Sequence, residues 1–143
     1  MVSVSRTFIV DKPVAVVLDY LKDFSNAVSW DPGTQSCVRL DDGPVRVGSS
    51  WHNVSKVFGR ETELTYRLRA LEADHITLVG TNDTATSTDD ITVRPAGAGS
   101  EITYHAEIEL HGAAKLAAPI VKLEFERLGN ETEKQLSRAI SQL

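Results

Sequence analysis

The sequence is poor in the residue types on which several classes of protein depend. It holds one cysteine, Cys37, among 143 residues. An internal disulfide is therefore excluded, and a lone thiol does not build a structural metal site. Basic residues are the minority, because 15 Lys and Arg stand against 20 Asp and Glu, for a formal net charge of −5. Since phosphate binding needs clustered cations, nucleic acid is not an expected partner.

Long apolar runs are also missing. The first residues, MVSVSRTFIVDKP, lack the hydrophobic stretch of a signal peptide, and no later segment is apolar over the length of a membrane span. We therefore expect a cytoplasmic protein without stable membrane insertion. The sequence contains no His-Glu-x-x-His, Cys-x-x-Cys or EF-hand loop, and its AGAG does not open a helix after a strand. Neither a metal nor a cofactor is expected.

What remains is the composition of an ordinary globular protein. Hydrophobic residues make up 41% and charged residues 24% of the chain, which is enough to bury a core without cross-links. No repeat, linker or low-complexity segment interrupts the sequence. We expect one domain over residues 1–143, as a monomer or weak homodimer.

Hydrophobic periodicity predicts a strand, two short helices, six strands and a long helix. The first strand covers Ser3–Val10, and the first helix follows Asp11 as N-cap with Pro13 in its first turn. A second short helix ends at Trp30. The period then changes to two, which predicts strands over Gln35–Leu40, Ser49–Val57, Arg60–Leu71, His75–Asn82, Ala85–Pro95 and Ser100–Leu110. The tail, residues 113–143, has helical spacing and is predicted to be one helix that bends at Pro119 or breaks at Gly129-Asn130.

The short turns between these strands predict consecutive hairpins, and hence an antiparallel sheet covered on one face by the long helix. Because hairpin partners share a face, each turn also predicts a register. The predicted pairs across a Phe58-Gly59 turn are Asn53 with Leu64, Trp51 with Tyr66 and Ser55 with Thr62. The next hairpin pairs Ala70 with Ile76 and Leu68 with Leu78, and the one after it, across an Asn82-Asp83 turn, pairs Leu78 with Ser87 and Ile76 with Asp89. The last hairpin pairs Val93 with Ile102, Ile91 with Tyr104 and Asp89 with Ala106.

This register predicts an inner face that is mostly apolar, with a few polar groups that include Asp89. An unpaired carboxylate is costly to bury, so two interpretations follow. In one, Asp89 lies near a sheet end or pairs with a neighbour such as Arg6. In the other, the space between sheet and helix is partly open and holds a ligand, since ligand pockets combine apolar walls with a few polar groups.

Several stretches resemble the START/Bet v 1-like (SRPBCC) superfamily, and in particular its bacterial polyketide cyclase/dehydrase group. FIVDKPVAVVLDYLKDFSNAVSWDPG is similar to the opening of that group, with a Pro-led helix followed by Trp-Asp-Pro. GPVRVGSSW resembles the hairpin that follows, ITVRPAGAGSEITYHAEIEL the late hairpin, and AAKLAAPIVKLEFERL the terminal helix with its early proline.

The resemblance covers essentially the whole chain and implies an α+β helix-grip fold. In that fold a curved seven-stranded antiparallel sheet wraps around the C-terminal helix, two small helices close one end, and a cavity lies between sheet and helix. Trp30 would then lie either at the cavity mouth or as a plug in the core. The resemblance implies three functions: binding of a small hydrophobic lipid or polyketide-like molecule, a cyclase, aromatase or dehydrase activity in the same cavity, or a toxin-like or regulatory role.

The residues themselves favour binding or proton-transfer chemistry over nucleophilic catalysis. No Gly-x-Ser-x-Gly elbow is present, and the register turns His52 and His105 outwards. A carboxylate in an apolar cavity has a raised pKa and can move a proton at neutral pH. The candidate catalytic residues are therefore Asp89 and Tyr104. The predicted ligand-binding residues are Trp30, Trp51, Asn53, Tyr66, Leu78, Asp89, Ile91, Tyr104, Ala106, Leu116 and Ile120.

Overall fold

The computed structural model describes residues 1–57 and 59–143. Its elements follow the predicted order, with one strand, two short helices, six strands and a long helix. The strands are β1 (Val2–Val10), β2 (Thr34–Arg39), β3 (Ser50–Val57), β4 (Arg60–Leu71), β5 (His75–Thr81), β6 (Ala85–Ala96) and β7 (Gly99–Leu110). The helices are α1 (Val14–Leu21), α2 (Ala27–Trp30) and α3 (Ala118–Ser141), with 3-10 turns over Phe24–Asn26 and Gly112–Ala117.

All seven strands form one antiparallel sheet in the order β1-β7-β6-β5-β4-β3-β2. Consecutive hairpins account for β2 to β7, and β1 pairs with β7 along its whole length. The long helix α3 packs on the inner face of the sheet, and the predicted α+β helix-grip fold is confirmed.

Most of the predicted register is confirmed. Trp51 pairs with Tyr66 and Ile91 pairs with Tyr104. Phe58 of the predicted turn lies outside the described residues, whereas the flanking pair of Val57 with Arg60 agrees with that turn.

The register between β5 and β6 is shifted by two residues from the prediction. Leu78 pairs with Asp89 rather than with Ser87, and Ile76 pairs with Ile91 rather than with Asp89. The cause lies in the connecting loop, where the side-chain oxygen of Asn82 accepts hydrogen bonds from the backbone N–H groups of residues 84 and 85, each at 2.9 Å. This wider loop replaces the predicted Asn82-Asp83 turn, and an even shift keeps Asp89 on the predicted face.

A second register error comes from an irregularity in β4. Ala70 pairs with Thr77 instead of Ile76, because the pairing shifts between Leu68 and Ala70. An extra residue on one strand of an antiparallel pair bends that strand and increases its twist. The prediction assumed regular strands and therefore missed this bulge.

The helix boundaries correct two further predictions. The N-cap position of α1 is Pro13 rather than Asp11. At the other end of the chain, residues 112–117 form a separate 3-10 turn, and Pro119 lies in the first turn of α3 rather than at a bend. Proline is tolerated there because the first helical N–H groups have no intrahelical partner.

Helix α3 runs without interruption through Gly129 and Asn130. Gly129 is buried where α3 crosses β1, and a Cβ atom at this position would lie 2.8 Å from Cγ2 of Val4. The glycine therefore serves close packing rather than a helix break. Arg6 of β1 donates to Asn130 of α3 and forms an ion pair with Glu126 at 3.1 Å, so Arg6 is not the partner of Asp89.

The two halves of α3 are buried to very different extents. Its C-terminal half buries Leu136 and Ile140 completely, next to a core that α1 and α2 close with Leu21 and Trp30. In its N-terminal half, Ile120 is 59% and Leu123 is 76% exposed. The helix therefore seals one end of the sheet and leaves a gap at the other. Over residues 1–57 and 59–143, no helix is both long and apolar enough to cross a membrane.

Candidate functional site

A cavity of about 560 Å³ lies in the gap between the inner face of the sheet and α3. Its wall is predominantly apolar, and strands β3, β4, β6 and β7 contribute to it together with the N-terminal half of the helix. The main apolar wall residues are Val57, Leu64, Ala106, Ile108, Val121 and Phe125. A space of this size and character is typical of a site for a small organic molecule.

The cavity opens at the end of the sheet that α1 and α2 do not cover. Wall residues at this end belong to turns or strand ends: Arg60 begins β4, Thr84 lies between β5 and β6, and Leu110 ends β7. Ile120, from the first turn of α3, forms the opposite rim and is largely exposed. Among the described residues, the rim therefore includes the start of β4, the loop between β5 and β6, the end of β7 and the start of α3.

Asp89 lies in the wall of the cavity and is only 6% exposed. Its Oδ1 atom accepts a hydrogen bond from the hydroxyl of Tyr104 at 3.2 Å. Burial, with a smaller contribution from the negative charge of Asp31, raises the pKa of Asp89 to about 7. Burial and the neighbouring carboxylate of Asp89 also raise the pKa of the Tyr104 hydroxyl well above its ordinary value. At neutral pH this pair can hold or release one proton.

A second carboxylate in the wall, Asp31, was not among the predicted site residues. Its Oδ2 atom accepts a hydrogen bond from the hydroxyl of Thr34 at 2.5 Å, and burial raises its pKa. Thr34 in turn accepts from Asn53 at 3.1 Å, and Asn53 accepts from Ser55 at 2.6 Å. A chain of hydrogen bonds therefore holds Asp31 in place, and the last member, Ser55, also lines the cavity.

The structure places five of the predicted ligand-binding residues on the cavity wall. They come from three strands and from α3, and they are Tyr66, Asp89, Tyr104, Ala106 and Ile120. Four of the five were found because hairpin register assigns inward-facing positions from sequence alone. Ligand binding by these residues stays a prediction.

The remaining predicted residues lie elsewhere. Trp51, Leu78 and Ile91 are fully buried in the core, because the inner face of the sheet extends beyond the cavity to the end that α1 and α2 cover. Asn53 is buried and does not line the cavity, but it accepts a hydrogen bond from the wall residue Ser55. Leu116 is 87% exposed on the 3-10 turn before α3, since the continuous helix that would have turned it inwards does not form there.

Trp30 is a core residue and does not belong to the cavity wall. Its ring is completely buried and packs edge-on against Phe24 and Tyr104, with centroid separations of 5.9 and 6.1 Å. Large aromatic side chains supply much of the apolar area in such a core. Trp30 therefore packs against Tyr104 from the core. Of the two predicted positions, the cavity mouth and the core, the structure shows the core.

Other groups in the structure are poor candidates for catalysis. Burial raises the pKa of the Cys37 thiol to about 11, so little thiolate exists at neutral pH. His52 and His105 lie on the outer face, where each is 3.0 Å from a glutamate side chain. Within the described residues, the chemistry that the cavity supports is hydrogen bonding and proton transfer by carboxyl and hydroxyl groups.

A curved seven-stranded sheet that grips a C-terminal helix around a cavity defines the START/Bet v 1-like class of proteins. A START superfamily protein from Mycobacterium smegmatis has a similar structure, with a TM-score of 0.80 at 16% identity over 98% of this chain and 97% of that chain. The Zhui aromatase/cyclase from Streptomyces sp. R1128 matches with a TM-score of 0.74 at 14% identity, over 98% of this chain and 91% of that one.

Sequence comparison defines the family more closely. The family model described as "Polyketide cyclase / dehydrase and lipid transport" matches residues 1–136, and the chain belongs to that family. The di-domain aromatase/cyclase StfQ from the steffimycin biosynthetic pathway also has a similar structure, with a TM-score of 0.74 at 13% identity, over 99% of this chain and 51% of that one. No curated protein matches the chain in sequence.

Proposed function

We propose that this protein binds a small hydrophobic molecule, of lipid or polyketide-like character, in the cavity between the sheet and α3. The observation that carries the proposal is the 560 Å³ space with its predominantly apolar wall. Apolar area on such a wall is unfavourable to hydrate, and an apolar guest removes it from water. The family assignment supports the same function, because its description includes lipid transport.

A thermal unfolding panel tests this proposal. We expect at least one apolar or aromatic compound that fits the cavity to raise the melting temperature. A ligand that binds only the folded state at about 100 times its Kd adds about 2.7 kcal/mol of stability. For a chain of this size that corresponds to a shift of several degrees. Differential scanning fluorimetry over linear and polycyclic compounds would measure it, and an unchanged melting temperature across the panel would contradict the proposal.

A second candidate function is catalysis of a cyclisation or dehydration in the same cavity. Two observations favour it: the similar structures of aromatase/cyclases and the buried pair of Asp89 and Tyr104. In a bound poly-β-ketone, ionised Asp89 would accept a proton from a carbon between two carbonyl groups. Once Asp89 is protonated, the hydroxyl of Tyr104 would turn from it and donate its hydrogen bond to the developing enolate oxygen. The enolate carbon would then attack a ketone carbonyl of the same molecule, whose oxygen takes up the proton from Asp89 as the C=O π bond breaks, and the fixed geometry of the bound ligand would direct this ring closure.

For this second function, Asp89→Asn and Tyr104→Phe are expected to slow the cyclisation of a linear β-polyketone thioester by roughly 100-fold or more, the usual scale of general acid–base catalysis. Tyr20→Phe, on α1 outside the cavity wall, is the matched control and should leave the rate unchanged. Product formation followed by absorbance would report the rates, and equal rates in all four proteins would remove Asp89 and Tyr104 from consideration.

A further inference from the structure

The wall of this largely apolar cavity carries more acidic than basic side chains. Among the described wall residues, three carry carboxylates, Asp31, Asp89 and Glu124, and one carries a positive charge, Arg60. Glu124 is 14% exposed at its side chain and forms an ion pair with Arg127 on the same helix. Because Arg127 neutralises Glu124 locally, the negative charge that is unbalanced when the carboxyl groups are ionised comes mainly from the two aspartates.

The positive and negative groups occupy different parts of the wall. Arg60 is exposed and begins β4, at the rim. Asp89 lies in the middle of β6, paired across the sheet with Leu78 and Ala106, and Asp31 follows α2. The inner part of the cavity is therefore acidic, and among the described wall residues the other titratable groups there are the hydroxyls of Tyr66 and Tyr104.

The hydrogen bonds of the two aspartates leave capacity for a ligand. Asp31 accepts hydrogen bonds from the hydroxyl of Thr34 and from the backbone of Gly33, whereas Asp89 accepts one, from the hydroxyl of Tyr104 to Oδ1. An ionised carboxylate has about four acceptor positions on its two oxygens. Among the described residues, no side chain donates to Oδ2 of Asp89, although Asp89 is buried and its neighbours are mostly apolar. A donor supplied by the ligand would satisfy this oxygen.

We propose that the ligand of this cavity carries a hydrogen-bond-donating group without negative charge, a hydroxyl or an amine, that binds Asp89, and that the site discriminates against carboxylates. The proposal rests on the proposed binding function and narrows its ligand class. Above about pH 7, where Asp89 is ionised, a carboxylate placed at the same point would face a negative charge on Asp89 with the carboxyl group of Asp31 nearby. Like charges in a poorly hydrated space repel strongly. An acid could bind only in the reverse orientation, with its carboxylate near Arg60 at the rim.

Four compounds that share one ring system test this selectivity: naphthalene, 2-naphthalenemethanol, 2-naphthylmethylamine and 2-naphthoic acid. At about pH 8 the amine is largely cationic and the acid anionic. We expect the alcohol and the amine to bind the wild-type protein at least about tenfold more tightly than naphthoate, as measured by isothermal titration calorimetry. Asp89→Asn should remove most of the preference of the amine over naphthoate.

Arg60→Gln is the matched control, because it removes the one positive charge of the described wall without changing its acidic part. This variant should keep the preference for the alcohol and the amine. The proposed selectivity would be overturned if naphthalene and naphthoate bound as tightly as the alcohol and the amine. It would also be overturned if Asp89→Asn kept the preference of the amine over naphthoate. Either result would leave the binding function intact. Failure of all four compounds to bind would contradict the binding function as well.

Discussion

Asp89→Asn is expected to make the protein more stable at about pH 8 and to flatten the pH dependence of its stability between about pH 4 and pH 7. The folded protein holds a proton on Asp89 up to a pKa of about 7, whereas an exposed aspartate in the unfolded chain releases its proton near pH 4. Between these values the folded state binds more protons than the unfolded state. The free energy of unfolding therefore falls as the pH rises, and this fall is complete above the folded-state pKa of Asp89.

The size of this effect follows from the two pKa values. A pKa of Asp89 that rises from 3.8 in the unfolded chain to about 7 in the folded one corresponds to a loss of about 4 kcal/mol in unfolding free energy at high pH. Relaxation and water in the cavity would reduce this value, so we expect a gain of a few kcal/mol for the variant at about pH 8. Asparagine keeps the shape of the side chain and an oxygen that can accept from Tyr104.

Urea unfolding of wild type and variant at a series of pH values measures this difference. Asp74→Asn makes the same chemical change at an exposed position between β4 and β5, and it should leave both the stability and its pH dependence nearly unchanged. A stability difference between wild type and Asp89→Asn that is the same at about pH 4 and about pH 8 would show that Asp89 does not titrate near neutral pH.

Ala106→Phe is expected to abolish ligand binding without unfolding the protein. Ala106 lies on the cavity wall in the middle of β7, directly paired with Asp89, and only 4% of its surface is exposed. A phenyl ring at this position points into the cavity, where it occupies the space that a guest would need. Because the ring fills an existing void rather than a packed region, the strain of overpacking should be small.

The expected result is a fall in affinity of at least about 100-fold for any compound that stabilises the wild type, with an unfolding free energy equal to or above the wild-type value. Calorimetric titration and urea unfolding measure the two quantities on the same sample. Ala73→Phe adds the same ring at an exposed position between β4 and β5 and serves as the control, with unchanged binding. Undiminished affinity in Ala106→Phe would place the ligand outside the cavity.

The fold and much of the site could be predicted from sequence because β-hairpins have a strict rule of alternation. Once Trp51 is paired with Tyr66 and Ile91 with Tyr104, every second residue of four strands is assigned to one face. The two-residue shift between β5 and β6 left the faces unchanged, which is why Asp89 was placed correctly on the inner side.

The extent of the cavity could not be predicted in this way. Alternation identifies inward-facing residues, but it does not say which of them meet the helices and which meet empty space. Ile91 and Asp89 share a face, yet Ile91 is packed in the core and Asp89 lines the cavity. That difference depends on where α3 separates from the sheet, which tertiary packing at Gly129 and Val4 helps to set.

The position of Asp31 in the cavity wall could not be predicted from sequence for a different reason. It lies in a connection between α2 and β2, where neither helical nor strand periodicity assigns a direction to the side chain. Its Trp-Asp-Pro context indicated the fold but no role for the aspartate. Its hydrogen bond from Thr34 is local, because the two residues are three positions apart. The hydrogen bond that Thr34 accepts from Asn53 links this turn to the neighbouring strand, and it forms only after β2 and β3 have paired.

Intermolecular nuclear Overhauser effects between a bound aromatic compound and protein methyl groups report directly where the ligand lies. If the space beneath α3 receives the ligand, cross-peaks should connect the ligand to methyl groups of Ala106, Ile108 and Val121, which line the cavity. The methyl groups of Ile76 and Val93, buried in the core, should show none. Cross-peaks confined to surface methyl groups, with none to Ala106 or Ile108, would contradict ligand binding in the cavity.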